Sequence, residues 1–326
     1  MDFTTDYLDY LKPYKTNVPF YNSLIDEALF ILDKEIKALD IKTQPISFRV
    51  KDEVSFINKV KRKEIKEPFK EITDFVGLRV VCLFRSDIKR IETIIKDNFL
   101  LIEEDNKIDG NQTEFGYMSY HYIVKLKEEY SGPRYDEIKG ISFEIQVRTI
   151  SMDAWANISH YLDYKTVNDV PASLRKDFNA ISGLFYVADT HFEVFFQETL
   201  KNKEETEEKI EHLLEDTDNK EIEEINFDSL RVYLNKKFPE RVHSQDKTIS
   251  DIVNELLSFD YKTINQLDEV VNKTLNAALK YEAEFPPVGE IFEDGGIMRA
   301  IIGIYENKSR KSNKGIYNLY EQYIEK

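Results

Sequence analysis

The chain has 326 residues, 41% hydrophobic and 33% charged, with a formal net charge of −16 and one cysteine, Cys82. This balance suits a globular protein with one large core or two smaller ones. It excludes an intrachain disulfide and a cysteine metal site, and it disfavours a broad, sequence-independent grip on a phosphate backbone.

No apolar run approaches the roughly 18–20 residues that span a bilayer. The first residues, "MDFTTDYLDYLKPY", carry no basic stretch leading into an apolar one. The expectation is a cytoplasmic protein with no membrane partner.

Residues 1–45 read as helical, with Leu24, Ile25, Ala28, Leu29, Ile31, Leu32 and Ile36 at helical spacing and Asn22 or Ser23 as start caps. Five β-like segments follow, at 46–50, 78–84, 99–105, 119–126 and 143–149. Helical stretches lie between them at 52–63 and 86–99, the second with Ser86 as its N-cap. Cys82, inside "LRVVCLF", is expected to be a small buried core residue. The mixture predicts an α/β (α+β) fold, a mixed sheet of about five strands flanked by helices. No strand–GxGxxG–helix and no G-x-x-x-x-G-K-[ST] occurs, so neither a dinucleotide fold nor a Walker loop is supported.

From Leu174 to Glu215 a long helix is expected, with Phe178, Ile181, Leu184, Phe185, Ala188, Phe192, Phe195 and Phe196 on one buried face. Residues 201–225 hold eleven Asp/Glu against four Lys, the composition of a solvated helix end or linker. Residues 226–326 read as a mainly helical second unit with turns at Pro286-Pro287 and Gly295-Gly296. The expected division is a helical segment at 1–45, a central domain at 46–215 and a helical accessory domain at 226–326.

The strand "FEIQVRT" has two faces that disagree. Phe143, Ile145 and Val147 point one way, and Glu144, Gln146 and Arg148 the other. Such a face is either wet, as on many antiparallel sheets, or it lines a site.

Three further stretches place chemistry near it. In "FRVKDEVSFINK", a helix beginning near Asp52 would align Lys51, Ser55 and Lys59 along one edge, with Arg49 on the preceding strand. Cations beside a helix N-terminus suit phosphates, although surface lysine is the default reading. The run "KVKRKEIK", with five Lys/Arg at 59–66, is equally open to a solvated helix end. Asp74 stands just before a strand, where an acid is often only a turn or cap residue. In "GYMSYHYIVKL", Tyr117, Ser119 and His121 share a face; Tyr117 offers a flat ring for a base, and His121 reads equally as a hydrogen-bonded half-buried histidine. Two carboxylates, Asp74 and Glu144, could hold a hard metal together with substrate phosphate oxygens.

The order of these motifs resembles a known family. R-x-K-x-x-x-S-x-x-x-K (Arg49, Lys51, Ser55, Lys59), D-x-x-G-x-R (Asp74, Gly77, Arg79), G-Y-x-S-x-H (Gly116, Tyr117, Ser119, His121) and E-x-Q-[IV]-R-T (Glu144, Gln146, Arg148, Thr149) are similar to the synthetase domain of the RelA/SpoT alarmone synthetases. The segment "HYLDYK", residues 160–165, is similar to that family's histidine-to-lysine close. The resemblance covers roughly residues 45–200 and implies a nucleotidyltransferase-like domain. Its implied activity is a Mg²⁺-dependent transfer of the β,γ-pyrophosphate of ATP to the ribose 3′-OH of GDP or GTP. Arg49, Lys51, Ser55 and Lys59 would hold ATP. Asp74 and Glu144 would bind Mg²⁺, with Glu144 as the base. Tyr117 would stack on the guanine, while Ser119, His121, Gln146 and Arg148 would order the acceptor side. Arg79 would neutralise phosphate or hold Asp74.

Two departures matter. Many relatives carry a basic segment before the Gly-Tyr motif, whereas here Lys107 is the only cation between Leu100 and Gly116. This leaves transfer to the 3′ end of tRNA, as in toxin-like relatives, as an alternative. A non-catalytic nucleotide sensor is a second one, opposed by the presence of both acids and the ATP-side cations. No His-Asp dipeptide occurs among the five histidines, so a synthetase without the family's hydrolase is expected. Small members of the family commonly assemble, which admits a homo-oligomer, although no residue pattern points to one.

Overall fold

The computed structural model describes residues 5–106, 119–162, 170–215, 223–306 and 324. The chain divides into two compact units, residues 1–196 and 197–326, with the boundary falling inside one long helix.

In the first unit, helix α1 (Thr5–Ala38) precedes β1 (Ser47–Val50), α2 (Glu53–Lys63), a single turn α3 (Pro68–Glu71) and β2 (Val76–Cys82). Helix α4 (Arg85–Asn98), strands β3 (Phe99–Asn106), β4 (Tyr120–Leu126) and β5 (Phe143–Thr149), and helix α5 (Ile150–Tyr161) follow. Helix α6 (Arg175–Glu215) begins in this unit. The five strands form one mixed sheet in the order β1-β2-β5-β4-β3, in which β2 and β5 run parallel and the other neighbours antiparallel. This is the expected α/β (α+β) class with its five strands.

Period-two alternation builds the core. Val76, Leu78, Val80 and Cys82 of β2, Phe143, Ile145 and Val147 of β5, and Tyr122, Val124 and Leu126 of β4 are buried together. Against them pack Leu24 and Leu32 of α1, Phe56 and Ile57 of α2, and Ile91 and Ile95 of α4. Each such side chain contributes about 1.5–3 kcal/mol by leaving water. Cys82 lies in this core as expected, and burial pushes its thiol up to about 12.

Some local expectations are corrected. Helix α1 runs through Pro13 and Pro19 from Thr5, so Asn22 and Ser23 are exposed mid-helix residues and cap nothing. Helix α4 has Phe84 at its cap position, and the backbone N–H of Ser86 donates to Glu193 Oε2 of α6 at 2.9 Å. A carboxylate 107 residues away thus satisfies the helix start that a local serine was expected to cap. Helix α6 spans its predicted length, but Ile181, Leu184, Phe192 and Phe195 are exposed, while Phe178 and Phe185 pack on Trp155 and Phe196 stacks on Phe84. The helix carries apolar residues on two faces, and periodicity alone does not say which one is covered.

The second unit contains the end of α6 with α7 (Phe227–Lys237), α8 (Asp246–Ser258), α9 (Ile264–Glu284) and α10 (Asp294–Glu306) around a core that includes Leu230, Leu234, Ile252, Leu267, Val271, Ile297 and Ile301. Gly295 and Gly296, expected in a turn, lie in the first turn of α10. A Cβ at Gly295 would stand 2.8 Å from Ser244 Oγ and 2.9 Å from Ile252 Cδ1, so close approach of the neighbouring segments explains that glycine. Among the described residues, no helix is long and apolar enough to cross a membrane.

Candidate active site

The sheet face opposite the core is polar, and the strand register builds it. One row across the sheet reads Arg49, Gly77, Glu144, Ile123, Glu103; the next reads Ser47, Arg79, Gln146, His121, Asp105. A Cβ built at Gly77 would meet no atom within 4 Å, so the face between Arg49 and Glu144 is open.

Asp74 stands just before β2. The next residue, Phe75, is buried and stacks on Tyr21 with ring centroids 5.2 Å apart, and its carbonyl accepts from the Lys51 N–H at 2.8 Å. These contacts fix the acid against the end of β1. Helix α2 starts where the sequence placed it, with Asp52 accepting from the Ser55 N–H at 2.9 Å. One turn of helix further on, Lys59 Nζ reaches Asp74 Oδ1 at 2.7 Å, and Lys51 Nζ meets Asp74 Oδ2 at 3.0 Å. Burial acts to raise the Asp74 pKa, but the two ammonium groups outweigh it and hold the carboxyl below its ordinary value. Ser55 and Arg49 are exposed at the same end of the sheet.

Glu144 is held from both sides. His121 Nδ1 lies 2.6 Å from Oε1, and Gln146 Nε2 donates to Oε2 at 2.9 Å. His121 Nε2 lies 2.6 Å from the hydroxyl of the buried Ser119. Burial raises the Glu144 pKa and the Asp74 charge raises it further; contacts with His121 and Gln146 prevail, and the group stays ionised below its usual range. Asp74 comes three residues before Gly77, which is the register partner of Glu144 on the neighbouring parallel strand.

A further acid beside this face, Asp153, was missed by the sequence reading. Asp153, in the first turn of α5, pairs through Oδ1 with Arg79 Nη1 at 3.1 Å and with Arg148 Nη1 at 3.0 Å. Arg79 also donates to Asn157 Oδ1 at 3.3 Å, whereas Asp74 is paired by the two lysines, so Arg79 does not hold Asp74. The side chain of Arg148 is only 2% exposed. The available signal was Thr149, which ends β5 and caps α5 by accepting from the Met152 N–H, with an acid and an amide at helical spacing beyond it. Tyr117, Lys107, Gly116 and Lys165 lie outside the described residues.

Mg²⁺ was the expected cofactor. Among the described residues no group of three or more His, Cys, Asp or Glu side chains forms a metal cage. A pair of carboxylates beside lysines is a donor set that would suit a hard ion completing its shell with substrate oxygens and water.

Comparison with known proteins agrees with the motif pattern. Residues 48–169 match the region found in RelA / SpoT proteins. Over 147 residues the chain is 32% identical to the GTP pyrophosphokinase YwaC of Bacillus subtilis (strain 168), covering 43% of this chain and 68% of that protein. Over 140 residues it is 34% identical to the GTP pyrophosphokinase YjbM of the same organism, covering 40% and 63%. Among solved structures, the small alarmone synthetase 1 of B. subtilis matches 58% of this chain and 98% of its own, with 23% identity and a TM-score of 0.49. The chain belongs to the RelA/SpoT family, as a member whose matched region is the synthetase region.

Proposed function

We propose that the chain is a GTP pyrophosphokinase that moves the β,γ-pyrophosphate of ATP to the ribose 3′-OH of GDP or GTP, making (p)ppGpp. The observation that supports this reading is a pair of acids on neighbouring segments of the sheet, Asp74 just ahead of β2 beside two lysines and Glu144 of β5 in an amide–imidazole clamp.

The chemistry follows from these groups. Lys51 and Lys59, with Arg49 and the first turn of α2 bearing Ser55, form a cationic end that fits a triphosphate. On ATP binding, the two lysines divide their donors between Asp74 and the phosphate oxygens. Asp74 and Glu144 would hold Mg²⁺, which would neutralise charge on the transferred group. The acceptor 3′-oxygen forms a bond to the β-phosphorus as the bond from that phosphorus to the α,β-bridging oxygen breaks. AMP leaves with that oxygen, and the hydroxyl proton passes to Glu144. The depressed pKa of Glu144 keeps it ionised at neutral pH, as both roles require.

Transfer to the 3′ end of tRNA is the second reading. It is kept open by the sequence, in which Lys107 is the only cation between Leu100 and Gly116, where many relatives carry a basic segment. The test is incubation of the purified protein with Mg²⁺ and ATP labelled in its γ-phosphate, offering GDP, GTP or tRNA. Label on a guanine nucleotide supports the first reading, label on RNA the second, and label on neither overturns both.

A further inference from the structure

The hydrogen bonds that hold Glu144 continue along its own face of β5 and end on α5. Arg148 Nη2 donates to Gln146 Oε1 at 3.1 Å, and Gln146 Nε2 donates to Glu144 Oε2 at 2.9 Å. Arg148 Nη1 donates to Asp153 Oδ1 at 3.0 Å, and Asp153 Oδ2 accepts from Asn157 Nδ2 at 2.8 Å. We propose that Asp153 is a positioning residue for the transfer reaction, fixing through Arg148 which end of the Gln146 amide meets the base Glu144. This role rests on the transfer reading above.

The physical reason lies in two rigid groups in series. A guanidinium is a planar fork, so the partner of one Nη sets the direction of the other. An amide is an acceptor at one end and a donor at the other. With Oε1 taken by Arg148, the N–H₂ end is turned toward the carboxylate. Turned the other way, the amide would present an oxygen to Glu144, repel it and leave His121 as its remaining clamp.

The same carboxylate supplies the counter-charge for Arg148, which is cut off from water, and receives Arg79 from the neighbouring parallel strand. One acid on α5 therefore ties both central strands of the site together. Asp153 touches no reacting atom and acts through the residues it holds.

Asp153→Asn preserves volume and an acceptor oxygen while removing the charge. Initial rates would be measured for this variant, for Gln146→Ala and for the double variant, with thermal melting of each. Asp153→Asn is expected to lower kcat about 10- to 100-fold with KM for ATP within about 3-fold, since a small misplacement of a reacting group costs rate rather than binding. In the Gln146→Ala background the same substitution is expected to cost less than about 3-fold, because the path it acts through is already cut. Equal losses in both backgrounds, or a raised KM for ATP at unchanged kcat, would overturn the role.

Should Asp153→Asn fail to fold, the paired change Arg148→Met with Asp153→Leu removes both charges of the pair together. It is expected to show the same loss of kcat, and wild-type kcat there would overturn the proposal. Wild-type protein that moves no label to any acceptor overturns the transfer reading itself, and this role with it.

Discussion

Two sets of carboxylate contacts, one taken from each unit, serve opposite ends. In the first unit, the side chains of Asp74 and Glu144 remain 23% and 16% exposed on an open sheet face, and their partners are themselves candidates for substrate contact. In the second, Arg241 lies across Glu282 with two hydrogen bonds, at 2.7 and 3.0 Å, and both side chains are buried. Asp294, with no exposed surface, accepts from the N–H groups of Ser244 and Gly295 and from His243 Nδ1. The sealed pairs bind helix ends and loops into a core. The open ones can exchange their partners for a ligand. Accessibility, more than residue type, separates a charged group that holds a fold from one that can carry a reaction.

The sharpest break of that contrast is Glu282→Gln. Leaving the buried Arg241 without its counter-charge is expected to cost about 3–5 kcal/mol, read as an earlier unfolding transition in denaturant or heat. Glu144→Gln tests the other side. Removal of a transition-state charge partner is expected to cost on the order of 10²–10³ in transfer rate, with the melting temperature changed little. A Glu144→Gln protein that melts like wild type but keeps its rate would move the chemistry elsewhere.

Gly295→Ala ranks next. The new methyl meets Ser244 Oγ and Ile252 Cδ1 well inside contact distance, so a loss of about 1–3 kcal/mol is expected by equilibrium denaturation. A smaller effect belongs to acid titration of Asp74. Its pKa is held down in the fold, so the stability it contributes is complete above the ordinary aspartate value near about 4 and disappears as pH falls through the lower folded value. Wild type should therefore lose more stability than Asp74→Asn across that acid window. At the bottom of the range, Lys37→Ala, which removes an exposed pair with Asp33, should change stability by less than about 0.5 kcal/mol.

Much of the site is written locally. Alternation along "FEIQVRT" puts Glu144, Gln146 and Arg148 on one face, and the structure keeps them there. The cap at Asp52 sets the phase of α2 and brings Lys59 round to the side of Lys51. Those features depend on backbone period and on hydrogen bonds a few residues long, which a sequence displays directly. The C-terminal glycines misled because a tight helix start and a turn use the same residue for different reasons, and only the approach of Ser244 and Ile252 tells them apart.

By itself, then, the sequence determined the element types, the polar and apolar faces of the strands and the family. The tertiary structure alone decided that β2 lies parallel beside β5, which sets the segment carrying Asp74 next to the strand carrying Glu144. It also decided that Glu193 serves the start of α4, which of the two apolar faces of α6 is covered, and that Asp153 joins Arg79 to Arg148. The physical reason is range. Propensity and periodicity act over one or two turns, whereas a buried charge takes its partner from whatever element the packing of the core brings beside it.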